Sequence, residues 1–228
     1  YYEAVTVLNQ LGIVNGKGSL NLSDLANATY TINATFKGDA KYLTNSSSTL
    51  TLKVNKVPTE IDVTVKTPVV FGEDAVISIE LDANINTTVK LSVDGKVYDV
   101  IIVNGKGLFN ASGLTSGLHE VNVTYAGDNK YLASNDTATF TVGSAALNAN
   151  VTGLNVTVEE NTAFIIDVDG FNGNVSISVD GVVLYNGTVK NIAVGNILPV
   201  AGNKTATVVF YGDSNYDELT LDNVKFEV

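Results

Sequence analysis

The sequence predicts an all-β protein made of tandem antiparallel sandwiches. Three observations predict it. Apolar and polar residues alternate with a period of two over many short runs. Turn dipeptides separate those runs at roughly 8–12 residue intervals. The whole pattern then recurs along the 228-residue chain.

The recurrence carries the domain reading. Phe36-Lys-Gly-Asp-Ala-Lys-Tyr42 returns as Tyr125-Ala-Gly-Asp-Asn-Lys-Tyr131 and again as Phe210-Tyr-Gly-Asp-Ser-Asn-Tyr216. Val14-Asn-Gly-Lys-Gly18 returns as Val103-Asn-Gly-Lys-Gly107, and Ser92-Val-Asp-Gly95 as Ser178-Val-Asp-Gly181. The order is kept, and the period is about 86 residues. Three modules follow: a partial one at 1–56 and full ones at 57–142 and 143–228.

In module two the pattern predicts strands near 59–66, 75–82, 88–94, 96–103, 107–112, 119–126 and 134–142. Val121, Val123 and Tyr125 alternate with Asn122 and Thr124. Val175, Ile177 and Val179 alternate with Ser176 and Ser178 in module three. Asp94-Gly95 and Asp180-Gly181 sit between such runs and read as tight hairpins. Seven short strands per module is the count of an Ig-like sandwich. The Gly-Asp-x-x-Tyr segment joins the last two strands. Its Asp suits an Asx-turn, and its Tyr can fold over the end of the sandwich. The linkers Asn55–Pro58 and Gly143–Ala146 are short, which favours end-to-end stacking into a rod-like array.

Module one begins inside the pattern, with Tyr1 opposite Lys90 of module two. The expectation is that it lacks its first two strands. Ile32, Ala34 and Phe36 would then lie exposed beside an open strand edge. Either those strands lie upstream in the same chain or a neighbouring subunit supplies them by strand complementation. The chain starts at Tyr1 and contains no Met, so it reads as a processed or trimmed piece. No signal peptide is present and no apolar run approaches the ~18 residues of a membrane span. Any anchor is expected outside this sequence.

Composition narrows the function classes. Cys, Met and Trp are absent and every cation is Lys. Thiol chemistry, disulfides and Cys-ligated metals are excluded, as are the Arg forks that read nucleic acid. A net charge of -11 repels phosphate backbones and anionic membranes. His119 is the single His, expected exposed at a strand start, and cannot form a zinc site alone. No Gly-x-Ser-x-Gly elbow and no P-loop occur. The expectation is a protein without enzymatic activity.

Two modification or binding chemistries remain. Asn-x-Ser/Thr sequons occur at Asn21, Asn27, Asn33, Asn45, Asn86, Asn110, Asn122, Asn135, Asn150, Asn155, Asn174, Asn186 and Asn203. With 26 Asn in the chain this is roughly threefold above chance for a tripeptide match. Asn122 alternates with Val121 and Val123, so it is expected on the solvent face and open to N-linked glycans. Asp167, Asp169, Asn172 and Asn174 place hard oxygens at the short intervals calcium requires. Glu80, Asp82, Asn84 and Asn86 do the same in module two. No Lys–Asn pair is singled out for an isopeptide crosslink.

The x-Gly-Asp-x-x-Tyr hairpin, the Ser-Val-Asp-Gly turn and the closing Thr139-Phe-Thr-Val142 strand resemble the Ig-like repeat domains of bacterial and archaeal cell-surface proteins. They are most similar to those of adhesin-like proteins of methanogenic archaea. The resemblance covers modules two and three and the second half of module one. Module three departs from it at Asn191–Val200. It implies an extracellular, cell-surface, often glycosylated stalk, with neighbouring modules or subunits as partners and no cofactor. The alternatives are a fibre or pilus-like subunit completed by strand exchange, and a module whose loop tips bind glycan or protein.

Overall fold

The computed structural model describes residues 12–82 and 85–228, and all its regular elements are β-strands. Module one holds β1 (Ala28–Ile32), β2 (Thr35–Phe36), β3 (Asn45–Ser46) and β4 (Leu50–Val54). β1 pairs antiparallel with β4, and β2 with β3. No residue of module one is buried among those described.

Module two comprises β5 (Ile61–Val65), β6 (Val69–Val70), β7 (Ala75–Leu81), β8 (Thr87–Val93), β9 (Lys96–Ile102), β10 (Lys106–Ala111), β11 (Gly117–Tyr125) and β12 (Ser134–Gly143). They form two sheets, ordered β10-β7-β5 and β6-β12-β11-β8-β9. The alternating side chains meet between them. Ile77 and Ile79 come from one sheet; Val89, Leu91, Val121, Val123 and Tyr125 come from the other, and all are essentially inaccessible. Each such burial contributes about 1.5–3 kcal/mol.

The first strand of this module divides between the sheets. β5 pairs antiparallel with β7, whereas β6 runs parallel to β12. The alternation predicts only one strand here, at 59–66. Pro68 supplies no amide hydrogen to a ladder, so the chain breaks before it and resumes on the opposite sheet. A split first strand within a two-sheet antiparallel sandwich is Ig-like topology.

Module three comprises β13 (Ala149–Leu154), β14 (Asn161–Val168), β15 (Asn174–Val179), β16 (Val182–Thr188), β17 (Ile192–Ile197), β18 (Asn203–Phe210) and β19 (Leu219–Glu227). Its sheets are β13-β14-β17 and β16-β15-β18-β19. Phe164, Ile177, Val208 and Phe210 fill the space between them. A single bond from the Val156 amide to the Glu227 carbonyl (3.0 Å) stands where β6 pairs in module two.

The hairpins follow their turn residues. Asp94-Gly95 and Asp180-Gly181 both have positive φ at the two central residues, as a type I′ turn requires. Asn15-Gly16 and Asn104-Gly105 do the same, closing the Val14–Lys17 and Val103–Lys106 bridges. The repeated Val-Asn-Gly-Lys motif is therefore a turn.

Candidate functional site

Two surfaces merit description: the sequon-bearing sheet faces and the tips formed by the Gly-Asp-x-x-Tyr segments. Of the thirteen sequon asparagines, Asn122 is half-buried and the other twelve are exposed. The strand register brings some together in a way the linear sequence hides. Asn122 lies opposite Thr137 while Thr124 lies opposite Asn135, so two sequons on β11 and β12 face each other reciprocally. The same arrangement recurs on β15 and β16, where Asn174 faces Thr188 and Ser176 faces Asn186. Ser92 extends the first of these polar faces onto β8.

Most sequon side chains leave their amide nitrogen uncommitted. Asn45, Asn86 and Asn155 use only the carbonyl oxygen, accepting from the amides of Ser46, Asn104 and Glu227. Thr124 donates to the Asn122 oxygen at 3.3 Å. Asn27 differs: its Nδ2 donates to the Val54 carbonyl at 2.9 Å. The nitrogen that would carry a glycan at Asn27 is thus engaged in holding β4.

The calcium candidates occupy separate local roles. Glu80 accepts from Lys106 Nζ at 3.1 Å, and Asp82 accepts from the Glu60 amide at 3.0 Å. Asn84 lies outside the described residues. Asp167 sits in β14 opposite Asn150, Asp169 and Asn172 lie exposed after that strand, and Asn174 begins β15. Among the described residues no group of three or more His, Asp or Glu side chains converges as a metal site would.

His119 overturns its expectation. It is buried, at 7% exposure, not exposed. It lies in β11 two residues before Val121, so strand alternation turns it inward, where it stacks on Phe140. Nδ1 meets Asp94 Oδ2 at 2.7 Å and Nε2 meets the Thr115 carbonyl at 2.7 Å. Both partners are acceptors, so the geometry assigns a proton to each nitrogen. Burial opposes the charge, but the Asp94 and Thr115 bonds outweigh it and hold the imidazole pKa above its ordinary value. The bond from His119 in turn holds the Asp94 carboxyl below the usual range. The pair ties the β8–β9 hairpin to the start of β11.

The tips are built alike in all three modules. Asp39, Asp128 and Asp213 each accept from the two amides that follow two and three residues later, at 2.7–2.9 Å. That is the Asx-turn the sequence predicts. The Gly is required by close approach: a Cβ at Gly38, Gly127 or Gly212 would meet the carbonyl of the motif Tyr at 2.9 Å or less. Each tip of the two closed modules pairs with the linker entering its own module. Val57 bridges Tyr131 in parallel, and Ala145 bridges Tyr216.

The tip of module three reaches further. Asn215 Oδ1 accepts from the Ser116 amide of module two at 2.9 Å. Tyr216 packs edge-on against Phe71 of module two (5.2 Å) and against Phe171 of its own module (6.0 Å). Ser144 in the linker bonds Asp217. The Gly-Asp-x-x-Tyr loop therefore joins modules as well as capping one.

Two surface depressions lie among the described residues. One, of about 380 Å³, is bounded by Ser92, Asp94, Gly95, Glu120 and Asn122. The other, of about 460 Å³, is bounded by residues including Asn155, Asn203 and Lys225.

No protein-family model matches the chain, and no curated protein matches it. Solved structures do. Fibronectin(III)-like modules of Clostridium thermocellum CbhA are 18% identical, with a TM-score of 0.30, covering 73% of this chain and 94% of that one. A crystallised titin tandem is 13% identical, with a TM-score of 0.33, covering 81% of this chain and 71% of that one. Dimeric latent PorU from Porphyromonas gingivalis is 17% identical, with a TM-score of 0.30; the match covers 82% of this chain but 22% of that one. The likeness is one of fold class alone, and the Ig-like assignment stands on the strand order described above.

Proposed function

We propose that this chain is part of the extracellular stalk of an adhesin-like surface glycoprotein, acting as a spacer with no enzymatic activity and no resident cofactor. The observation that carries the reading is the junction between modules two and three. There a hydrogen bond to Ser116, an aromatic contact to Phe71 and a paired linker all act to fix one sandwich against the next. A spacer needs such joints; an enzyme needs a cleft holding a perturbed acid, base or nucleophile. The exposed sequons support N-linked glycans on the outer faces, where they would shield the stalk from proteolysis. The partners are neighbouring modules, and the location is the cell surface. Resemblance to surface proteins of methanogenic archaea is part of this reading.

Peptide mass mapping of the native protein, with electron microscopy of the same material, tests it. Glycopeptides spanning several sequons on beaded rods support the stalk. Unmodified asparagines throughout would remove the glycoprotein part. A second reading is favoured by the edge of β1, which has β4 as its only strand partner among the described residues. A strand from a neighbouring subunit on that edge would make the chain a fibre subunit, visible as a filament with a fixed axial repeat.

A further inference from the structure

We infer that His119 makes the joint between modules two and three pH-responsive: firm while the imidazole is charged, loose once it is neutral. This uses the geometry of the joint and goes beyond the stalk reading. A joint indifferent to pH would overturn it and leave the spacer role standing.

One peptide unit carries the link. The Thr115 carbonyl and the Ser116 amide belong to the same rigid plane. Its oxygen faces His119 Nε2 at 2.7 Å inside module two, and its N–H donates to Asn215 Oδ1 of module three at 2.9 Å. The Ser116 hydroxyl donates to the Gly143 carbonyl (3.1 Å), where the linker begins. Asn215 in turn accepts the Ala145 amide on its own carbonyl at 2.8 Å. Imidazole, peptide, Asn215 and linker therefore form one hydrogen-bonded chain across the joint. Each bond in such a chain polarises the next.

Loss of the proton strikes this chain at a defined end. A neutral imidazole has one N–H and one lone pair. The N–H stays on Nδ1, because a lone pair against the Asp94 carboxylate at 2.7 Å costs more than one against a neutral carbonyl. Nε2 then presents its lone pair to the Thr115 oxygen, and an attraction becomes a repulsion. Relief comes when the 115–116 plane turns, and turning it takes the Ser116 N–H off Asn215. The surroundings of the ring add little charge. β12 brings Phe140, while β5 and β8 turn apolar side chains inward. Asp94, from the β8–β9 turn, is the charge that acts on the imidazole. Lys96 of that turn lies over the Tyr98 ring, Glu120 is exposed and meets Asp94 through its amide, and Glu73 and Asp74 are exposed after β6.

The repeat supplies a comparison. At the strand position of His119, module one has Tyr30, whose hydroxyl donates to the Ala26 carbonyl at 2.9 Å. Ala26 is the counterpart of Thr115. A side-chain donor holds this carbonyl in both modules, but a phenol ordinarily titrates at about 10 and an imidazole at about 6.5. The chain has one His and no Cys, so between about pH 6 and 9 the imidazole is the side chain whose ordinary range is crossed. Its folded pKa is raised, so the contact is complete below about 6.5 and is lost as pH rises through the folded value.

Nuclear magnetic resonance of the full, unglycosylated chain across that pH range tests the inference. The His119 ring signals report its titration. Protection of the Ser116 amide, corrected for the intrinsic exchange rate at each pH, reports the bond across the joint. Residual dipolar couplings report whether the two modules align as one body. Ser116 protection should fall about fivefold along the ring titration, the worth of one hydrogen bond, and the alignments of the modules should diverge. His119→Tyr, the residue exchange the repeat already carries at Tyr30, should hold both readouts constant with pH. Asn215→Ala cuts the chain on the module-three side and leaves the core of module two untouched. There the ring should still titrate, at a lower pKa because coupling is reciprocal, while the alignment stops following pH. A ring that titrates while Ser116 protection and alignment stay constant overturns the inference. A ring that keeps one charge state throughout does so too, as does a response that survives Asn215→Ala.

Discussion

Modules one and two share a repeat and differ in what the repeat achieves. In module two the residues Val121, Val123 and Tyr125 are sealed against β5 and β7. Their counterparts in module one, Ile32, Ala34 and Phe36, are half-buried or exposed, with Phe36 at 47%. The strand alternation is the same in both. The described part of module one contains no counterpart of β5 or β7. Alternation therefore specifies which face a side chain takes, and burial requires a second sheet to meet it. The local chemistry survives without that sheet: the Asx-turn of Asp39 and the type I′ turn of Asn15-Gly16 form as they do in module two.

The largest expected effect breaks this comparison at equivalent positions. Val123→Asp places an unpaired carboxylate in a closed core and should cost more than about 4 kcal/mol, enough to abolish the folded module. Ala34→Asp, one repeat earlier, should change stability by less than about 0.5 kcal/mol. Thermal unfolding followed by calorimetry reads both. Comparable losses at the two sites would mean that module one possesses a closed core.

The joints sharpen the comparison next. Asn27 in module one and Ser116 in module two are equivalent, and each donates from its side chain to an equivalent carbonyl, that of Val54 or Gly143. The tips differ. Asn215 reaches Ser116 across the joint, whereas its counterpart Lys130 lies over the Tyr131 ring at 5.2 Å. Asn215→Ala should weaken the second joint by about 1 kcal/mol. Amide exchange at Ala145, whose N–H is held by the Asn215 carbonyl at 2.8 Å, should accelerate several-fold. Lys130→Ala should leave exchange at Val57 unchanged, since only the Lys130 backbone holds that amide.

Modules two and three differ in a titratable group. The His119–Asp94 pair belongs to module two, while module three has Lys204 at the equivalent place in β18 and no imidazole to titrate. The imidazole pKa is raised on folding, so its stabilisation is complete below about 6.5 and is lost as pH rises through the folded value. The Asp94 pKa is lowered, so its share is present above about 3.8 and is lost as pH falls through the folded value. Module two should therefore be most stable between these limits. Its Tm should fall from pH 6 to pH 8 by more than that of module three. His119→Gln should remove the difference, and a slope that persists in that variant would assign it elsewhere.

Much of the fold was legible because β-sandwich information is local. The Asp-Gly turns, the alternating strands and the tip motif each declare themselves within ten residues or so. The misses were cases where two signals competed. His119 shares the inward phase of Val121 and Val123, but a lone polar side chain at a strand start reads as exposed; it is Leu118 beside it that is exposed. Period outranks polarity when a hydrogen-bond partner such as Asp94 is within reach, and that partner is 25 residues away. β6 was hidden by Pro68, which reads as a strand end but marks a crossing between sheets. The reciprocal pairing of the Asn122 and Asn135 sequons was hidden for another reason, since register is a property of two strands and not of either alone.

The smallest expected effect concerns Tyr125, and it is informative because the repeat has already performed the substitution. Its hydroxyl is buried without a hydrogen-bond partner of ordinary geometry. Burial, together with the charge of Asp128, pushes its pKa up to about 12. Module three carries Phe210 at the same position, equally buried, and module one carries Phe36. A buried donor without a partner costs about 1–3 kcal/mol relative to a satisfied one. Tyr125→Phe should thus be neutral or stabilise module two by up to about 1 kcal/mol, while preserving the ring that fills the core. A loss of more than about 1 kcal/mol in calorimetry would show that the hydroxyl bonds Asp128 in solution, and the tip of module two would then be tied to its core in a way that the tip of module three is not.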